Sequence, residues 1–174
     1  MNASRTLATE RLDLRWLTED DAELMLGVWN DPAFVRFVGD RGVRSLDQAR
    51  TALREGALKL YADFGYGPYR VATRDEDRPM GVCGLFKREH LADPDIGFGL
   101  LPEFCRQGYA YEAAVAVLEH AQGVLQLNRV TAIVSPENEA SIGLIDKLGL
   151  QFVERMRMPG EDHDVLLYAI EWPS

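Results

Sequence analysis

The segment from Leu100 to Ala110 has the residue types and spacing of an anion-binding turn. It reads L-L-P-E-F-C-R-Q-G-Y-A, so a strand-like run ends, a turn containing Gly108 follows, and a long apolar helix begins. Such a turn can direct successive backbone N–H groups, together with the unpaired N–H groups of the first helical turn, at a phosphate or pyrophosphate. Arg106 would add a charged donor. The same pattern also occurs where a strand simply turns into a helix, so both interpretations remain open at this point.

A second segment with this organisation runs from Ser135 to Ser141, S-P-E-N-E-A-S, where another strand-like run meets a helix. Asn138 is either the N-cap residue of that helix or a side-chain amide that contacts a ligand, and its type alone favours the cap. The chain contains neither G-x-G-x-x-G nor G-x-x-x-x-G-K-[S/T], which argues against a dinucleotide-binding fold and against a P-loop.

Periodic patterning predicts the elements that position these segments. Apolar runs that alternate or are continuous predict strands, and apolar residues at three- and four-residue spacing predict helices. The predicted strands are residues 12–16, 69–73, 80–86, 96–101, 130–134, 152–156 and 165–170, and the predicted helices begin near residues 18, 45, 109 and 138. We therefore predict one α/β (α+β) domain spanning residues 1–174, with a mixed sheet of about seven strands and about four helices.

The composition excludes several classes of function. Lys and Arg number 19 and Asp and Glu number 28, which gives a formal net charge of −9 and a pI near 4.8. This charge argues against nucleic-acid binding and anionic membranes, and no apolar run approaches the roughly 20 residues of a membrane span. Cys83 and Cys105 form no C-x-x-C pair, which fits a reducing cytoplasm. His90, His120 and His163 lie far apart, so we expect surface histidines and no metal site.

Together, the two segments resemble the GNAT superfamily of acetyl-CoA-dependent N-acetyltransferases, in particular its RimJ/RimL-type branch. The opening T-E-R-L-D-L-R at residues 9–15 is similar to the first strand of that branch. Residues 96–113 are similar to its cofactor motif, and residues 138–150 are similar to its second motif. The resemblance covers almost the whole chain and implies the single-domain GNAT fold with acetyl-CoA as cosubstrate.

The resemblance also implies which residues bind acetyl-CoA. Gly108 would let the backbone approach the pyrophosphate, and backbone amides near Phe98 would polarise the thioester carbonyl. The superfamily pattern Q/R-x-x-G-x-G/A begins here at Cys105, and Arg106 occupies its second position, which is often glycine. Ile145 stands where some relatives have a tyrosine that acts as general acid, so that role is not expected in this chain. The implied cofactor-binding residues are Phe98, Leu100, Cys105, Arg106, Gln107, Gly108, Tyr109, Ala110, Asn138 and Ser141.

Three residues are candidates for proton transfer. By the resemblance, Ser141 lies near the thioester sulfur and donates to the leaving thiolate. Acylation of an amine also needs an acceptor for the proton of the amine. Asp95 and Glu103 flank the predicted strand at 96–101 and are the candidate acceptors, although both types are common in solvated loops.

Other residues carry expectations about the shape of the site. Two glycines in the strand at 96–101, Gly97 and Gly99, predict a β-bulge that opens the sheet for the cofactor. Glu112 matches a family position, but no chemical role follows from its type. Four aromatic residues are either core or walls of the acceptor pocket, whose segments they occupy by resemblance: Trp29, Phe34, Phe37 and Tyr66.

These observations predict transfer of acetyl from acetyl-CoA to a primary amine by direct attack in a ternary complex, without an acyl-enzyme. The amine would be a protein or peptide N-terminus or a small molecule, and an antibiotic or polyamine acetyltransferase is a rival within this class. A non-catalytic acyl-CoA-binding or sensing module is the alternative outside it. We expect a monomer or homodimer in the cytoplasm, with no nucleic-acid or membrane partner. We also expect a cationic acceptor, because the net charge is −9 and acids lie near the predicted pocket: Asp31, Asp63, Asp93, Asp95 and Glu103.

Overall fold

The strands of the chain form one mixed eight-stranded sheet in the computed structural model, which describes residues 5–174. They are β1 (Thr6–Ala8), β2 (Leu12–Trp16), β3 (Pro68–Thr73), β4 (Pro79–Phe86), β5 (Asp95–Leu100), β6 (Arg129–Val134), β7 (Gln151–Arg157) and β8 (Asp164–Glu171). Their order across the sheet is β1-β2-β3-β4-β5-β6-β8-β7. Neighbouring strands are antiparallel except β5 and β6, which run parallel.

Residues 5–174 contain six α-helices. They are α1 (Ala22–Asn30), α2 (Pro32–Phe37), α3 (Leu46–Leu53), α4 (Lys59–Phe64), α5 (Tyr109–Gly123) and α6 (Glu139–Lys147), and a π-helical turn, Arg54–Leu58, joins α3 to α4 so that these two form one continuous helix. Side-chain caps begin several of them, since Ser45 accepts from the N–H of Gln48 and Thr18 caps the short 3₁₀ turn before α1. None of these helices has the length and apolar composition needed to cross a membrane.

The architecture agrees with the predicted α/β class, with one strand and one helix more than the patterning indicated. The additional strand β1 has only three residues and pairs with β2, so it is too short for a periodic signal. The additional helix α2 begins at Pro32, where the patterning predicted only the end of α1. Asp31 is extended and accepts from the N–H of Phe34, so the residue that ends one helix caps the next.

Two buried clusters lie on opposite faces of the sheet. Adjacent residues of a strand point to opposite faces, and the neighbours Val82 and Cys83 of β4 belong to the two different clusters. Helix α5 contributes Val117 to the cluster of Cys83, whereas α1 and α3 contribute Met25 and Leu53 to the cluster of Val82. The sheet is therefore the middle layer between α5 on one face and α1 with α3 on the other.

One of the three histidines is not on the surface. His120 is buried on α5, and burial lowers the pKa of its imidazole. The prediction of surface histidines is wrong for this residue, because its neighbours on the same face of α5, Val117 and Ala121, belong to the core. His90 and His163 are exposed, as predicted.

Strands β5 and β6 separate soon after they meet. Their ladder contains a single residue pair, Asp95 with Thr131, whereas β4 pairs with β5 and β6 pairs with β8 along six residues each. The two strands run parallel and pair only at the first residue of β5. Beyond that pair they diverge, and the space between their carboxyl ends forms a cleft. Clefts beyond the carboxyl ends of parallel strands are common ligand sites.

The opening of the sheet does not depend on a bulge at Gly97 or Gly99. The β4–β5 register is continuous through both glycines, and the irregularity near this part of the sheet lies between Val71 and Ala72, where β3 meets β4. The predicted bulge is therefore wrong, and the separation of β5 from β6 opens the cleft instead.

Candidate active site

A cavity of about 570 Å³ lies between the diverging strands and the helices that cover them. Strand β5 lines it with Gly97 and Phe98, and α6 lines it with Ser141 and Ile145. Of the four aromatic residues expected at the acceptor pocket, Trp29, Phe34 and Phe37 line this cavity. The fourth, Tyr66, is buried outside its lining, and burial and then the charge of Asp95 raise the pKa of its hydroxyl.

Asp95 is a buried carboxylate that lines this cavity. Only 1% of the residue is exposed, because it begins β5 at the one point where β5 and β6 pair. Its Oδ2 accepts from Nε of Arg88 at 3.1 Å, and its Oδ1 has no partner within residues 5–174. Burial raises the pKa of Asp95, and Arg88 opposes that rise. A buried carboxylate with one free oxygen and a raised pKa has the properties of a general base.

The backbone of β5 presents polar groups to the cleft. Thr131 donates its N–H to the carbonyl of Pro94, so that carbonyl faces β6. Alternate residues of a strand present their backbone groups to the same side. The N–H and C=O of Phe98 therefore face the β6 side as well, beyond the last residue pair of the ladder. Such an amide can donate a hydrogen bond to a carbonyl bound in the cleft.

The turn after β5 has the geometry of an anion site. Gly108 adopts a left-handed conformation, with φ of 81°, and precedes the first residue of α5. The first helical hydrogen bond runs from the N–H of Glu112 to the carbonyl of Gly108. The N–H groups of residues 109–111 are thus unpaired by the helix and point along its axis. Arg106 is also left-handed, with φ of 63°, which explains why glycine is common at this position of the motif.

The first turn of α5 is tied to the β1–β2 hairpin through Glu112. Its carboxylate accepts from the hydroxyl of Thr9 and from the backbone N–H and Nε of Arg11, the latter two at 2.9 and 2.7 Å. Burial opposes ionisation of Glu112, but these hydrogen bonds outweigh it and lower its pKa. Arg11 also donates to the carbonyl of Gln107 at 3.1 Å and lies 4.2 Å from the ring centroid of Tyr109. This network assigns Glu112 a role in holding the turn.

Asn138 caps α6, as its residue type suggested. Its Oδ1 accepts from the N–H of Ser141 at 3.2 Å, and both residues line the cavity. Ser141 is half-buried in the first turn of α6, and Ile145 follows one turn later. The cap therefore orients the segment that carries the Ser141 hydroxyl.

The structure separates the remaining predicted residues into two groups. Glu103 is exposed and lies outside the cavity, beside Thr73 and Gln107, so it is not brought near Asp95. We therefore assign no proton transfer to Glu103. The other implied cofactor-binding residues run from the end of β5 to the start of α5: Leu100 is the last residue of β5, Cys105, Arg106, Gln107 and Gly108 lie in the turn, and Tyr109 and Ala110 begin α5.

One group of side chains within residues 5–174 has the spacing of a cation site. The ligand atoms of Glu161, Asp162 and His163 lie within 4.8 Å of one another, and all three residues are exposed in the turn before β8. Exposed acids of this kind usually contact water, and the absence of a metal site stays a prediction.

The chain matches a family model described as an acetyltransferase (GNAT) domain over residues 11–151. YoaA of Bacillus subtilis, described as an uncharacterized N-acetyltransferase, is 30% identical over 174 residues, which cover 96% of this chain and 97% of YoaA. An acetyltransferase structure from Agrobacterium tumefaciens has a TM-score of 0.81 at 25% identity, with coverage of 96% and 94%. The ribosomal-protein acetyltransferase RimL, solved with coenzyme A, has a TM-score of 0.80 at 20% identity, with coverage of 96% and 98%.

Proposed function

This chain belongs to the GNAT acetyltransferase family, and we propose that it transfers acetyl from acetyl-CoA to a primary amine by direct attack in a ternary complex. The observation that carries the proposal is the buried Asp95 carboxylate at the cavity between the diverging strands, whose Oδ1 has no hydrogen-bond partner within residues 5–174. Burying a carboxylate with one oxygen left without a partner costs free energy, and a module that only binds acyl-CoA gains nothing from it. An enzyme that must take a proton from its acceptor does gain from it.

The residues of this chain fit acetyl-CoA. The unpaired N–H groups at the start of α5 suit a pyrophosphate, and the relative solved with coenzyme A has the same fold. The cleft between β5 and β6 suits the pantetheine arm and the thioester. There the N–H of Phe98 would donate to the thioester oxygen and stabilise the oxyanion that forms during attack.

The proton transfers assign distinct roles to two side chains. The acceptor enters as an ammonium, which is the cationic state, and gives one proton to Asp95, directly or through a water. The neutral nitrogen then attacks the thioester carbonyl, a C–N bond forms, and the C–S bond breaks. Ser141 donates a hydrogen bond to the departing thiolate, which takes the second proton lost by the nitrogen. The products are the amide and free coenzyme A, and Asp95 returns its proton to solvent.

The acceptor in this proposal is a primary amine, which belongs either to a protein or peptide N-terminus or to a small molecule. Of the five acids that suggested a cationic acceptor, only Asp95 lines the cavity. Asp63 is paired with Lys59 and Asp93 with Arg129, each at 2.7–2.8 Å. Attraction of the ammonium therefore depends on the acids that line the cavity, which are Asp95, Glu89 and Glu161, rather than on the total charge of the chain.

Release of free coenzyme A thiol tests the proposed reaction. The protein is mixed with acetyl-CoA and a panel of primary amines, and thiol is followed with a chromogenic reagent. We expect amine-dependent release together with one equivalent of acetylated amine detected by mass spectrometry. Binding of acetyl-CoA without release for any amine would instead support the sensing module.

Gly108→Val should weaken acetyl-CoA binding about tenfold or more while the fold persists. A β-branched residue strains the left-handed backbone, and its side chain would occupy space beside the unpaired N–H groups. At Gly108 an added Cβ would lie 3.4 Å from Nη2 of Arg11, which is the mobile end of its side chain. The backbone of the turn, rather than a clash, therefore sets the expected effect, and calorimetry with acetyl-CoA measures it.

Gly65→Val is the matched control for this variant. Gly65 has a similar φ of 75°, and an added Cβ there meets no atom within 4 Å. It ends α4 and does not belong to the turn after β5. Both variants should lose similar stability, but only Gly108→Val should lose affinity. Equal affinities in the two variants would remove the turn from the binding site.

A further inference from the structure

Arg41 lies at the wall of the cavity without an acidic partner. It is in the loop between α2 and α3, and it lines the cavity together with Trp29 and Phe34. Its guanidinium lies 5.8 and 6.0 Å from the centroids of those two rings. Within residues 5–174, no carboxylate oxygen lies within 4.0 Å of its nitrogens. The positive charge of Arg41 is therefore available to a ligand.

The loop that carries Arg41 is held by its neighbours. Arg44 donates to Asp40 at 2.6 Å and to the side chain of Asn30 at 2.8 Å. Asn30 in turn donates to the carbonyls of Leu26 and Val43, at 2.8 and 2.9 Å. The acid next to Arg41 in the chain, Asp40, is thus already paired with Arg44. This anchoring positions the loop and leaves Arg41 out of the network.

A second guanidinium, that of Arg88, lies at the same cavity. Only its Nε is used, in the hydrogen bond to Asp95, and its two terminal nitrogens have no partner within residues 5–174. The Arg41 residue as a whole is exposed, but the cavity wall partly removes water from its guanidinium, which lowers its pKa, and the positive charge of Arg88 lowers it further. Two like charges that face one cavity repel each other, and an anion bound between them removes that repulsion.

We propose that the acceptor amine carries a carboxylate, which Arg41 and the terminal nitrogens of Arg88 bind in the cavity. This inference rests on the proposed acetyl transfer and names its substrate class. The planar fork of a guanidinium matches a carboxylate with two parallel hydrogen bonds. Two other acids that line the cavity, Glu89 and Glu161, are exposed and lie outside ion-pair distance of Arg41.

Arg88 also constrains where the amine and the carboxylate sit. Its Nε holds Asp95, and its terminal nitrogens belong to the same planar group, so they face a ligand immediately beside Asp95. An acceptor whose carboxylate binds there has its amine only a few bonds away, close to the Asp95 carboxylate. An α-amino acid meets this requirement, as does a peptide whose first residue has an acidic side chain.

Pairs of amines that differ only in the carboxylate test this inference. One arm compares L-amino acids with their carboxamides, and the other compares peptide amides that begin with Asp or Glu against those that begin with Asn or Gln. The carboxamide of an amino acid has the lower amine pKa, so intrinsic reactivity near neutral pH favours it. We expect kcat/KM to favour the carboxylate in one arm by about tenfold or more.

Variants of Arg41 should change this preference specifically. Arg41→Gln should reduce the preference for the carboxylate about ten- to hundredfold, with an unchanged KM for acetyl-CoA. Arg41→Lys should retain part of it, because the charge remains and the planar fork is lost. Arg36→Gln is the matched control, since Arg36 is an exposed arginine of α2 that lies outside the lining of the cavity and has no ion pair among the described residues.

Direct binding separates failure of this inference from failure of the proposed reaction. An N-acetyl amino acid carries the carboxylate without the amine, and calorimetry with the coenzyme A-loaded protein should show binding that Arg41→Gln removes. Thiol release without a carboxylate preference, or with the highest rates for amines bearing a second positive charge, overturns the carboxylate site alone. Arg41-dependent binding without thiol release overturns acetyl transfer alone, and the absence of both overturns both.

Discussion

Asp95→Asn should lower kcat by about a hundredfold or more while the KM for acetyl-CoA changes little. Asparagine has nearly the same shape, and its amide oxygen can still accept from Nε of Arg88. It cannot take a proton from the ammonium of the acceptor. The turn that would hold the pyrophosphate follows the carboxyl end of β5, whereas Asp95 begins the strand at its other end. A loss in kcat with an unchanged cofactor KM therefore distinguishes a base from a residue that supports the cleft.

The pH dependence gives a second measure of the same role. Only the ionised carboxylate accepts a proton, so kcat/KM should rise with pH through the pKa of Asp95. Burial raises that pKa above the usual value of 3.8, so the rise should lie above the range of an ordinary aspartate. The rise should be absent from the pH profile of Asp95→Asn. Deprotonation of the amine itself produces a separate rise at higher pH, which both proteins should share.

Asp93→Asn is the matched control. Asp93 lies two residues earlier, is partly buried and accepts from Arg129 at 2.8 Å outside the lining of the cavity. Its loss should affect stability by about 1 kcal/mol, since the side chains of this ion pair are only partly exposed to solvent, and should leave kcat unchanged. If Asp95→Asn also keeps the wild-type kcat and pH profile, solvent rather than Asp95 accepts the proton.

Ser141→Ala should lower kcat about ten- to hundredfold, with a smaller effect on the KM for acetyl-CoA. A hydrogen bond to a charged group is worth about 1.5–3 kcal/mol, and here the charge appears only as the thiolate departs. The loss is therefore expected in the chemical step. Steady-state kinetics with varied acetyl-CoA separates the two parameters.

Ser141→Thr provides the conservative comparison. The backbone N–H of residue 141, which donates to Asn138, remains in both variants, so the cap of α6 is kept. Threonine also retains the hydroxyl and should recover much of the rate that alanine loses. An increase in KM alone, with kcat unchanged in both variants, would make Ser141 a residue that binds the cofactor and not one that stabilises the departing thiolate.

The contacts of Glu112 depend on residues that are remote in the chain. The partners of Glu112 are Thr9 and Arg11, which lie 103 and 101 positions earlier in the chain. Nothing in the spacing around Glu112 indicates that the β1–β2 hairpin folds onto α5. Both ends of this contact lie in segments that resemble the family. That resemblance was the only signal in the sequence that could have indicated a contact between the β1–β2 hairpin and α5.

The sequence by itself determined the class of the fold, the order of its main strands and helices, and the two segments that we propose bind acetyl-CoA. These features depend on interactions within a few residues. The cap of α6 by Asn138 spans three positions, and the left-handed Gly108 begins α5 within its own turn. Apolar periodicity likewise indicates which face of a helix or strand is buried, whichever element packs against that face.

Only the tertiary structure decided which of two similar acidic residues lies at the candidate site. Asp95 and Glu103 flank one strand and were equal candidates, but Asp95 is buried where β5 and β6 pair, whereas Glu103 is exposed beyond the end of β5. The same packing buried His120, opened the cleft without a bulge, and left Arg41 at the cavity without an acidic partner among residues 5–174. The physical reason is that burial, ion pairing and strand separation depend on elements that are distant in the chain, and the type of a single residue does not report them.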